Sequence, residues 1–472
     1  MALEAAGAVS SSNIPMQVID AGEILAKVQK GQPVEYDHVI VKGDLDLSRE
    51  RLQNSISSPI TIIDSIFEGR VSFNGSTLDK PVDVAGSNFT KNTYFQQTTF
   101  SDDAEFERTA FSRYAGFWRT TFSTNADFEF ATFSGWTDFQ ETTFSGYASF
   151  QGTVFGGYAN FQETDFCSSA NFQGTAFSYY ASFLWATFSN ETDFEFATFS
   201  SNADFEEAAF NSNVNFGWAT FSGYADFGGA AFSGYSNFWK AAFSSNSSFE
   251  DAELNGNIEF SNTRFENETS FYRILFKRPA YFENCSIKSL NLIKAEYSRL
   301  HLRWDNIKSL HFDEAAYLAL IKNYNTLGWY GDANRCYYDY RNAVRRSWQD
   351  ASSPGFAAKV SSPLDRLVDF GEWLLYGYGV RPSFPVAWCI GIILAFGLFF
   401  RQKKCLRKII TEERIEDAED GSDEVLVESK ARKAPLNFID PFLFSLFTFT
   451  SGFTAFLHPA VEYKLERCLR WA

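Results

Sequence analysis

The chain has 472 residues, enough for two or three domains. Its apolar content of 45% excludes disorder over most of the length, and its net charge of −17 argues against a protein that covers nucleic-acid phosphates. Phenylalanine supplies 53 residues and methionine only 2, which indicates a repeat with one preferred core residue rather than an ordinary globular core.

Residues 1–60 have no strong periodicity. Ala21–Gly31 predicts a short helix, and His38–Ser48 predicts a strand that leads into the repeats. The first residues lack a basic start and an apolar run, so we expect no signal peptide. Six dispersed cysteines without a CxxC pair favour reduced thiols over a disulfide framework. Together these observations predict a cytoplasmic N-terminal part.

Apolar residues recur from Ile62 to Ile293 in alternating steps of five and six. From 62 to 293 is 231 residues, or 21 units of 11. The recurring residue is Phe in most units, as at Phe100 and Phe106, and a small residue such as Ala104 lies two positions earlier. Residues two apart on an extended chain point the same way, so we expect both to face inward.

This pattern resembles the pentapeptide-repeat family in its Phe-centred form. The resemblance implies a right-handed, four-sided β-helix, in which steps of five and six give 22 residues per coil. We therefore predict a mainly β fold, with a quadrilateral β-helix of about 10 coils over residues 61–295 and stacked Phe rings along its axis. Residues 1–60 would cap the first coil, because an open end exposes unpaired backbone groups.

Residues 22 apart lie on the same edge of such a β-helix. One edge then carries a strip of five aromatic residues: Tyr114, Trp136, Tyr158, Tyr180 and Tyr224. Two interpretations stay open. The rings cover the corner and stack on one another, or they form a docking strip for a partner protein or a sugar. The opposite edge carries Tyr147 and Tyr235 among polar residues.

Residues 312–350 change to helical apolar spacing, which Leu327-Gly328 interrupts, and so predict a helical hairpin. The hairpin resembles a single tetratricopeptide unit. The matching positions are Tyr317, Leu320, Tyr324, Gly328, Tyr330, Ala333 and Tyr337. Because one unit cannot form an array, we expect the hairpin to cap the β-helix and to connect it onward.

Residues 364–400 predict a membrane-proximal helix and a first transmembrane helix. The run Pro382–Phe400 is uncharged and has about the 20 residues needed to span a bilayer. A buried helix of a soluble protein is the alternative. The charged residues 401–436 predict a solvated loop.

Residues 437–472 contain a second uncharged run and predict either a pore-like or a second membrane segment. The order of membrane helix, polar loop and Phe-rich segment resembles the start of a two-helix potassium-channel module, whose filter reads Thr-x-Gly-Tyr/Phe-Gly. The corresponding residues are Thr450, Ser451, Gly452, Phe453 and Thr454, the last of which stands in place of the second Gly. The resemblance implies Phe442–Phe449 as a pore helix and potassium or another monovalent cation as the ion. No further apolar run follows, so we expect an incomplete module, and a plain membrane anchor is the alternative.

The leading prediction is a protein of the cell membrane in which a cytoplasmic β-helix binds a partner protein or a second copy and is attached to a channel-like module. By the positive-inside rule, the basic cluster 401–408 would lie in the cytoplasm and the β-helix outside the cell. Because we expect no signal peptide, export of the β-helix is not expected, and we place it in the cytoplasm. Residues 101–270 carry 23 acidic and 5 basic residues. This acidity suggests one alternative, a DNA mimic that acts on type II topoisomerases, and the other is a plain membrane-anchored scaffold.

The sequence contains no GxGxxG, Walker, HExxH or GxSxG pattern, and its four His do not cluster. Its carboxylates recur with the repeat, which is typical of surface positions rather than of acid–base pairs. We therefore expect no enzyme activity, no catalytic residues, no cofactor and no metal site. Nucleic acid is not an expected partner.

Overall fold

The computed structural model describes residues 15–52, 55–347, 363–403, 406–416, 426–450 and 461–465. The chain forms two compact units, Met1–Tyr340 and Arg341–Ala472. The first unit is a parallel β-helix with helices at both ends. The described part of the second unit contains helices and a small antiparallel sheet.

Each regular coil of the β-helix has four short strands, one on each of four sides that we call A to D in chain order. Equivalent strands pair in parallel and lie 22 residues apart, as Ala104 with Ala126 and Phe111 with Phe133. The thirteen strands of side A are Val34–Asp37, Ile60–Ile63, Val82–Asp83, Ala104–Glu105, Ala126–Asp127, Ala148–Ser149, Ala170–Asn171, Thr192–Asp193, Val214–Asn215, Ser236–Asn237, Ile258–Glu259, Ala280–Tyr281 and Leu300–His301.

The other three sides repeat this arrangement. The strands of side B are Gln17–Asp20, Val39–Lys42, Ile66–Phe67, Asn88–Phe89, Ala110–Phe111, Thr132–Phe133, Val154–Phe155, Ala176–Phe177, Thr198–Phe199, Thr220–Phe221 and Ala242–Phe243. The strands of side C are Leu45–Asp46, Val71–Ser72, Thr93–Tyr94, Ala115–Gly116, Thr137–Asp138, Ala159–Asn160, Ala181–Ser182, Ala203–Asp204, Ala225–Asp226 and Ser247–Ser248. Two longer strands, Arg264–Ser270 and Ser286–Asn291, extend from side B into side C. The eleven strands of side D are Thr77–Leu78, Thr99–Phe100, Thr121–Phe122, Thr143–Phe144, Asp165–Phe166, Thr187–Phe188, Ala209–Phe210, Ala231–Phe232, Glu253–Leu254, Leu275–Phe276 and Glu296–Tyr297.

Phenylalanine rings fill the axis of the β-helix. Rings on the same side of successive coils stack in parallel, as Phe111 and Phe133 do at 4.7 Å between centroids. Rings on neighbouring sides meet either edge to face, as Phe111 and Phe117 do at 83°, or at a tilt, as Phe106 and Phe111 do at 44°. Each buried ring contributes roughly 2–3 kcal/mol, which the ordering of the chain largely offsets. The predicted Phe-filled β-helix is confirmed, and its right-handed winding stays a prediction.

The β-helix has about 13 turns rather than the 10 predicted, since side A alone has thirteen strands. The sequence count missed the first turns because aliphatic residues such as Ile19 and Val34 fill the axis there. The spacing also changes, since Val34 pairs with Ile60 at 26 residues instead of 22. A short helix, α2 (Arg49–Leu52), occupies the longer connection that follows. Residues 17–60, predicted as a separate cap, therefore contribute strands to the β-helix itself.

Helices close both ends of the β-helix. At the N-terminal end, α1 (Ala21–Gln29) follows its cap residue Asp20 and buries Ile24 and Val28 in the same core. At the C-terminal end, a 3₁₀ turn (Trp304–Asn306) precedes α3 (Glu314–Thr326) and α4 (Tyr330–Ser347), which occupy the segment where the sequence predicts a hairpin. The β-helix core is thereby shielded from water at both ends.

The second unit contains α5 (Pro363–Tyr376), a 3₁₀ turn (Gly377–Gly379), α6 (Ser383–Lys403) and α7 (Asp440–Thr450). The strands of its antiparallel sheet are Leu406–Glu416, Leu426–Ala434 and Val461–Leu465, with the first in the centre.

The prediction of a solvated loop over residues 401–436 is wrong for the described residues, because two of these strands occupy them. Ile415 pairs with Val427 in register. The loop prediction rested on the high charge of the segment and did not take into account its β-branched residues, which favour strands.

One helix among the described residues is long and apolar enough to cross a membrane. It covers Ser383–Gln402 and has a mean hydropathy of 2.1. Only 6% of its most apolar stretch is buried. The described residues therefore show one candidate membrane helix and the shorter helix α7, and the predicted potassium-channel-like module is not shown by them. Of the filter-like residues, Thr450 is the last residue of α7, and Ser451 to Thr454 lie outside the described residues.

Candidate interaction surfaces of the β-helix

The structure brings four of the five predicted strip residues into one continuous row at the corner between sides B and C. Tyr114 meets Trp136 edge to face at 5.5 Å, and Trp136 meets Tyr158 at 6.0 Å. Tyr158 and Tyr180 stack in parallel at 5.4 Å. Tyr224 is separated from this row by the coil that carries Asn202. We use the name aromatic strip for Tyr114, Trp136, Tyr158 and Tyr180.

Local contacts fix the rings of the aromatic strip over side C. A Cβ at Gly116 would lie 2.6 Å from the Tyr114 ring, so glycine leaves room for that ring to lie over the strand. The hydroxyl of Tyr180 donates to Asp204 Oδ2 at 2.6 Å. Trp136 is nevertheless 51% exposed. The strip is a row of oriented rings that remains open to solvent.

The strip tyrosines stay neutral over the physiological range. Burial is the largest cause that raises the pKa of Tyr114, Tyr158 and Tyr180, and for Tyr180 the hydrogen bond to Asp204 raises it further. The pKa of Tyr224 is raised to about 12 for the same first reason. Each ring therefore presents an apolar face together with a neutral hydroxyl, which suits a mixed protein surface.

A second set of exposed aromatic residues lies at the corner between sides A and B, where the sequence analysis found none. Phe130, Phe196 and Trp218 have positive φ angles of 56°, 59° and 59°, and each is at least 42% exposed. Trp218 also packs against Trp239, and the ammonium of Lys240 lies 4.0 Å from the Trp218 ring and 4.2 Å from the Trp239 ring. The 22-residue spacing from Phe196 to Trp218 was the signal that could have found this corner.

Two adjoining depressions form a groove on side A. The first has a volume of about 510 Å³ and extends from Tyr147 to Tyr235. The second has a volume of about 450 Å³ and extends from Tyr235 to Glu283. They share Tyr235 and Asn237. The polar side chains that line them belong to these residues: Ser169, Asn171, Glu191, Asp193, Asn213, Asn215, Asn237, Glu259, Ser261, Asn262 and Glu283.

Side A also carries a row of carboxylates toward its N-terminal end. The pKa of Glu105 is raised to about 7, first by burial and then by the nearby carboxylates of Asp127, Asp103 and Asp83. Burial likewise raises the pKa of Asp127. No group of three or more His, Cys, Asp or Glu among the described residues could hold a metal ion.

The family comparison agrees with the repeat seen in the structure. The family described as Pentapeptide repeats (9 copies) matches residues 62–110, 117–165, 197–242 and 238–286. The β-helix is built from pentapeptide repeats. No curated protein and no solved structure matches the chain. The pentapeptide-repeat β-helix is a scaffold, and its aromatic strip and side-A groove are its candidate interaction surfaces.

Proposed function

We propose that the chain is a non-enzymatic interaction protein, in which the pentapeptide-repeat β-helix holds a partner protein along the aromatic strip. The observation that carries this proposal is the unbroken row from Tyr114 to Tyr180, whose rings contact each other but are not buried by the chain. Exposed aromatic rows of this kind are enriched where proteins meet. The stacked core beneath holds the rings in fixed positions, which lowers the entropy lost on binding.

Partner recovery from cell extract tests this role. The double variant Trp136→Asn, Tyr158→Asn removes the centre of the strip, and it should fold because Asn202 occupies the same row two coils further along. We expect it to lose the proteins that the full chain retains. The control is Tyr179→Asn, which removes a ring that is 65% exposed but lies outside the strip. Recovery of the same proteins with all three chains would contradict the proposal.

We also propose that α6 anchors the β-helix to a membrane. The helix exposes Ile390 at 53% and Leu394 at 49%, and the described residues cover little of its surface. Twenty apolar residues in a helix reach about 30 Å, the thickness of the hydrocarbon core.

Flotation with phospholipid vesicles tests the anchor. The full chain should float, and Ile390→Glu with Leu394→Glu should remain at the bottom, because each buried carboxylate costs several kcal/mol, roughly 2.5–3.5 at a helix centre. Val18→Glu with Val154→Glu adds the same charge at exposed positions of the β-helix and should still float. A full chain that remains at the bottom without vesicle association would contradict membrane anchoring.

A pore-forming role for residues 437–472 is a second candidate. It is favoured by the packing of α7 on α6, where Phe400 and Phe444 meet at 5.0 Å. A Cβ at Gly397 would lie 2.4 Å from the Phe442 ring, so glycine allows this close approach. Potassium flux from vesicles that contain the full chain tests the role, and Gly452→Pro should abolish it. Vesicles that remain tight would contradict it.

A further inference from the structure

The groove on side A has a length that suits a short extended segment of a partner. Tyr147 and Tyr235 occupy the same row four coils apart, at the corner between sides D and A. The Phe rings beneath these coils are 4.7–4.8 Å apart, so the two tyrosines are separated by about 19 Å. An extended peptide rises about 3.3 Å per residue, so about six residues fill this distance.

The floor of the groove is polar and acidic. Asn171, Asp193, Asn215 and Asn237 are equivalent outward positions of successive coils, and the Asn237 amide donates to Asn215 Oδ1 at 2.8 Å. Glu191 lies beside Asp193, and the second depression adds further carboxylates. None of the described residues that line either depression is Lys, Arg or His.

Glu191 and Asp193, and Glu195 next to them in sequence, form no ion pair among the described residues. The Asp193 carboxylate accepts the backbone N–H of Glu195 at 2.8 Å, and Glu195 accepts the neutral Gln173 amide at 3.2 Å. A neutral ligand such as a sugar would bury these negative charges uncompensated, whereas a cationic side chain would pair with them. Outside the groove, at the corner between sides A and B, the ammonium of Lys240 lies over the rings of Trp218 and Trp239, and Trp239 also lines the second depression.

We propose that the side-A groove binds an extended basic segment of a partner protein. Its Lys or Arg side chains would pair with Glu191 and Asp193, and the aliphatic parts of those side chains would pack on Tyr147 and Tyr235. The amide groups of the floor would hydrogen-bond the backbone of the segment. This inference rests on the proposed role as an interaction platform but uses a surface separate from the aromatic strip.

Fluorescence anisotropy with a labelled Gly-Arg-Gly-Arg-Gly-Arg peptide and the full chain tests the proposal. In the variant Glu191→Ser, Asp193→Asn we expect the dissociation constant to rise at least about tenfold. The variant should fold, because Ser169 and Asn171 occupy the same two positions one coil earlier. Tyr235→Asn should also weaken binding about tenfold, and Asn213 occupies its row.

A charge-matched control separates the groove from general attraction to an acidic surface. Glu163→Gln with Glu207→Gln removes two exposed carboxylates from the corner between sides C and D, and it should leave the dissociation constant unchanged within about twofold. The proposal would be overturned if both double variants weakened binding equally or if the peptide showed no saturable binding. It would also be overturned if the chain bound neutral maltohexaose in preference to the peptide. Trp136→Asn changes the aromatic strip and not the groove, so it should leave peptide binding unchanged. The groove proposal and the aromatic-strip proposal can therefore fail independently of each other.

Discussion

Most inward-facing Phe residues of the β-helix have a small inward neighbour two positions earlier, and on sides B and D a Thr in this position donates a hydrogen bond to a backbone carbonyl. The hydroxyl of Thr120 donates to the carbonyl of Phe95 at 2.6 Å, and Thr142 donates to Phe117 at 2.7 Å. Where Ala131 takes this position, the site is filled without a hydroxyl. The alternation of Thr and Ala was visible in the sequence. The hydrogen bonds of the Thr hydroxyls could not be predicted from the sequence, because the accepting carbonyl lies 25 residues away.

Gly223→Ala should destabilise the β-helix. A Cβ at this corner would lie 2.3 Å from the carbonyl carbon of Ser201 in the preceding coil, and backbone atoms cannot move aside as a flexible side chain can. We expect a loss of about 1–3 kcal/mol in the free energy of unfolding, measured by urea denaturation. Ser201→Ala is the control, since Ser201 already carries a Cβ at this position. Equal unfolding free energies for the two variants would contradict the stated contact.

The β-helix should lose stability as the pH rises from about 4.5 to about 7. The pKa of Glu105 is raised from 4.5 to about 7 in the folded chain, so the folded state holds a proton that the unfolded state has released in this range. Glu105→Gln should reduce the loss, as measured by urea denaturation at several pH values. An unchanged pH dependence in Glu105→Gln would show that Glu105 does not cause it.

At the scale of elements, the end of side A shows how a helix can satisfy the edge of a sheet. Leu300–His301 is the last strand of that side, and no strand among the described residues pairs with its outer edge. The Asn323 amide donates to the Leu300 carbonyl at 2.8 Å, and its Oδ1 accepts the Leu300 N–H at 3.1 Å. One side chain of α3 thus replaces the next strand for this residue. The spacing of α3 predicts a helix there, but not this contact.

Asn323→Ala should loosen the C-terminal end of the β-helix. Two buried backbone groups of Leu300 would lose their partner, at about 1–3 kcal/mol each. We expect faster hydrogen exchange at the Leu300 amide and a lower free energy of unfolding. Asn325→Ala changes an exposed residue of the same helix and should leave both quantities unchanged. Unaltered exchange at Leu300 in Asn323→Ala would contradict the capping role.

At the scale of the molecule, prediction succeeded where one period governed the chain. The 22-residue coil and the contact row from Tyr114 to Tyr180 follow from spacing alone, because each coil repeats the geometry of the last. Prediction failed where the period changed, as at the 26-residue step from Val34 to Ile60. It also failed at Leu406–Glu416 and Leu426–Ala434, where strand pairing within the second unit overrides a composition typical of loops. The acidic groove could not be predicted from the sequence, because its prediction requires knowing which corner of the coil each residue faces.

Disulfide formation in the variant Ser189→Cys tests the 22-residue coil most directly. Cys167 and Ser189 follow strands that pair in register, Asp165 with Thr187 and Phe166 with Phe188, and both are exposed. Their Cα atoms should lie about 4.8 Å apart, within the range of a disulfide. After mild oxidation, peptide mapping should show a bond between Cys167 and the cysteine introduced at position 189. The control is Ser178→Cys, whose introduced cysteine lies half a coil away and should form no bond with Cys167. A bond to Cys167 in this control, or no bond in Ser189→Cys, would contradict the coil.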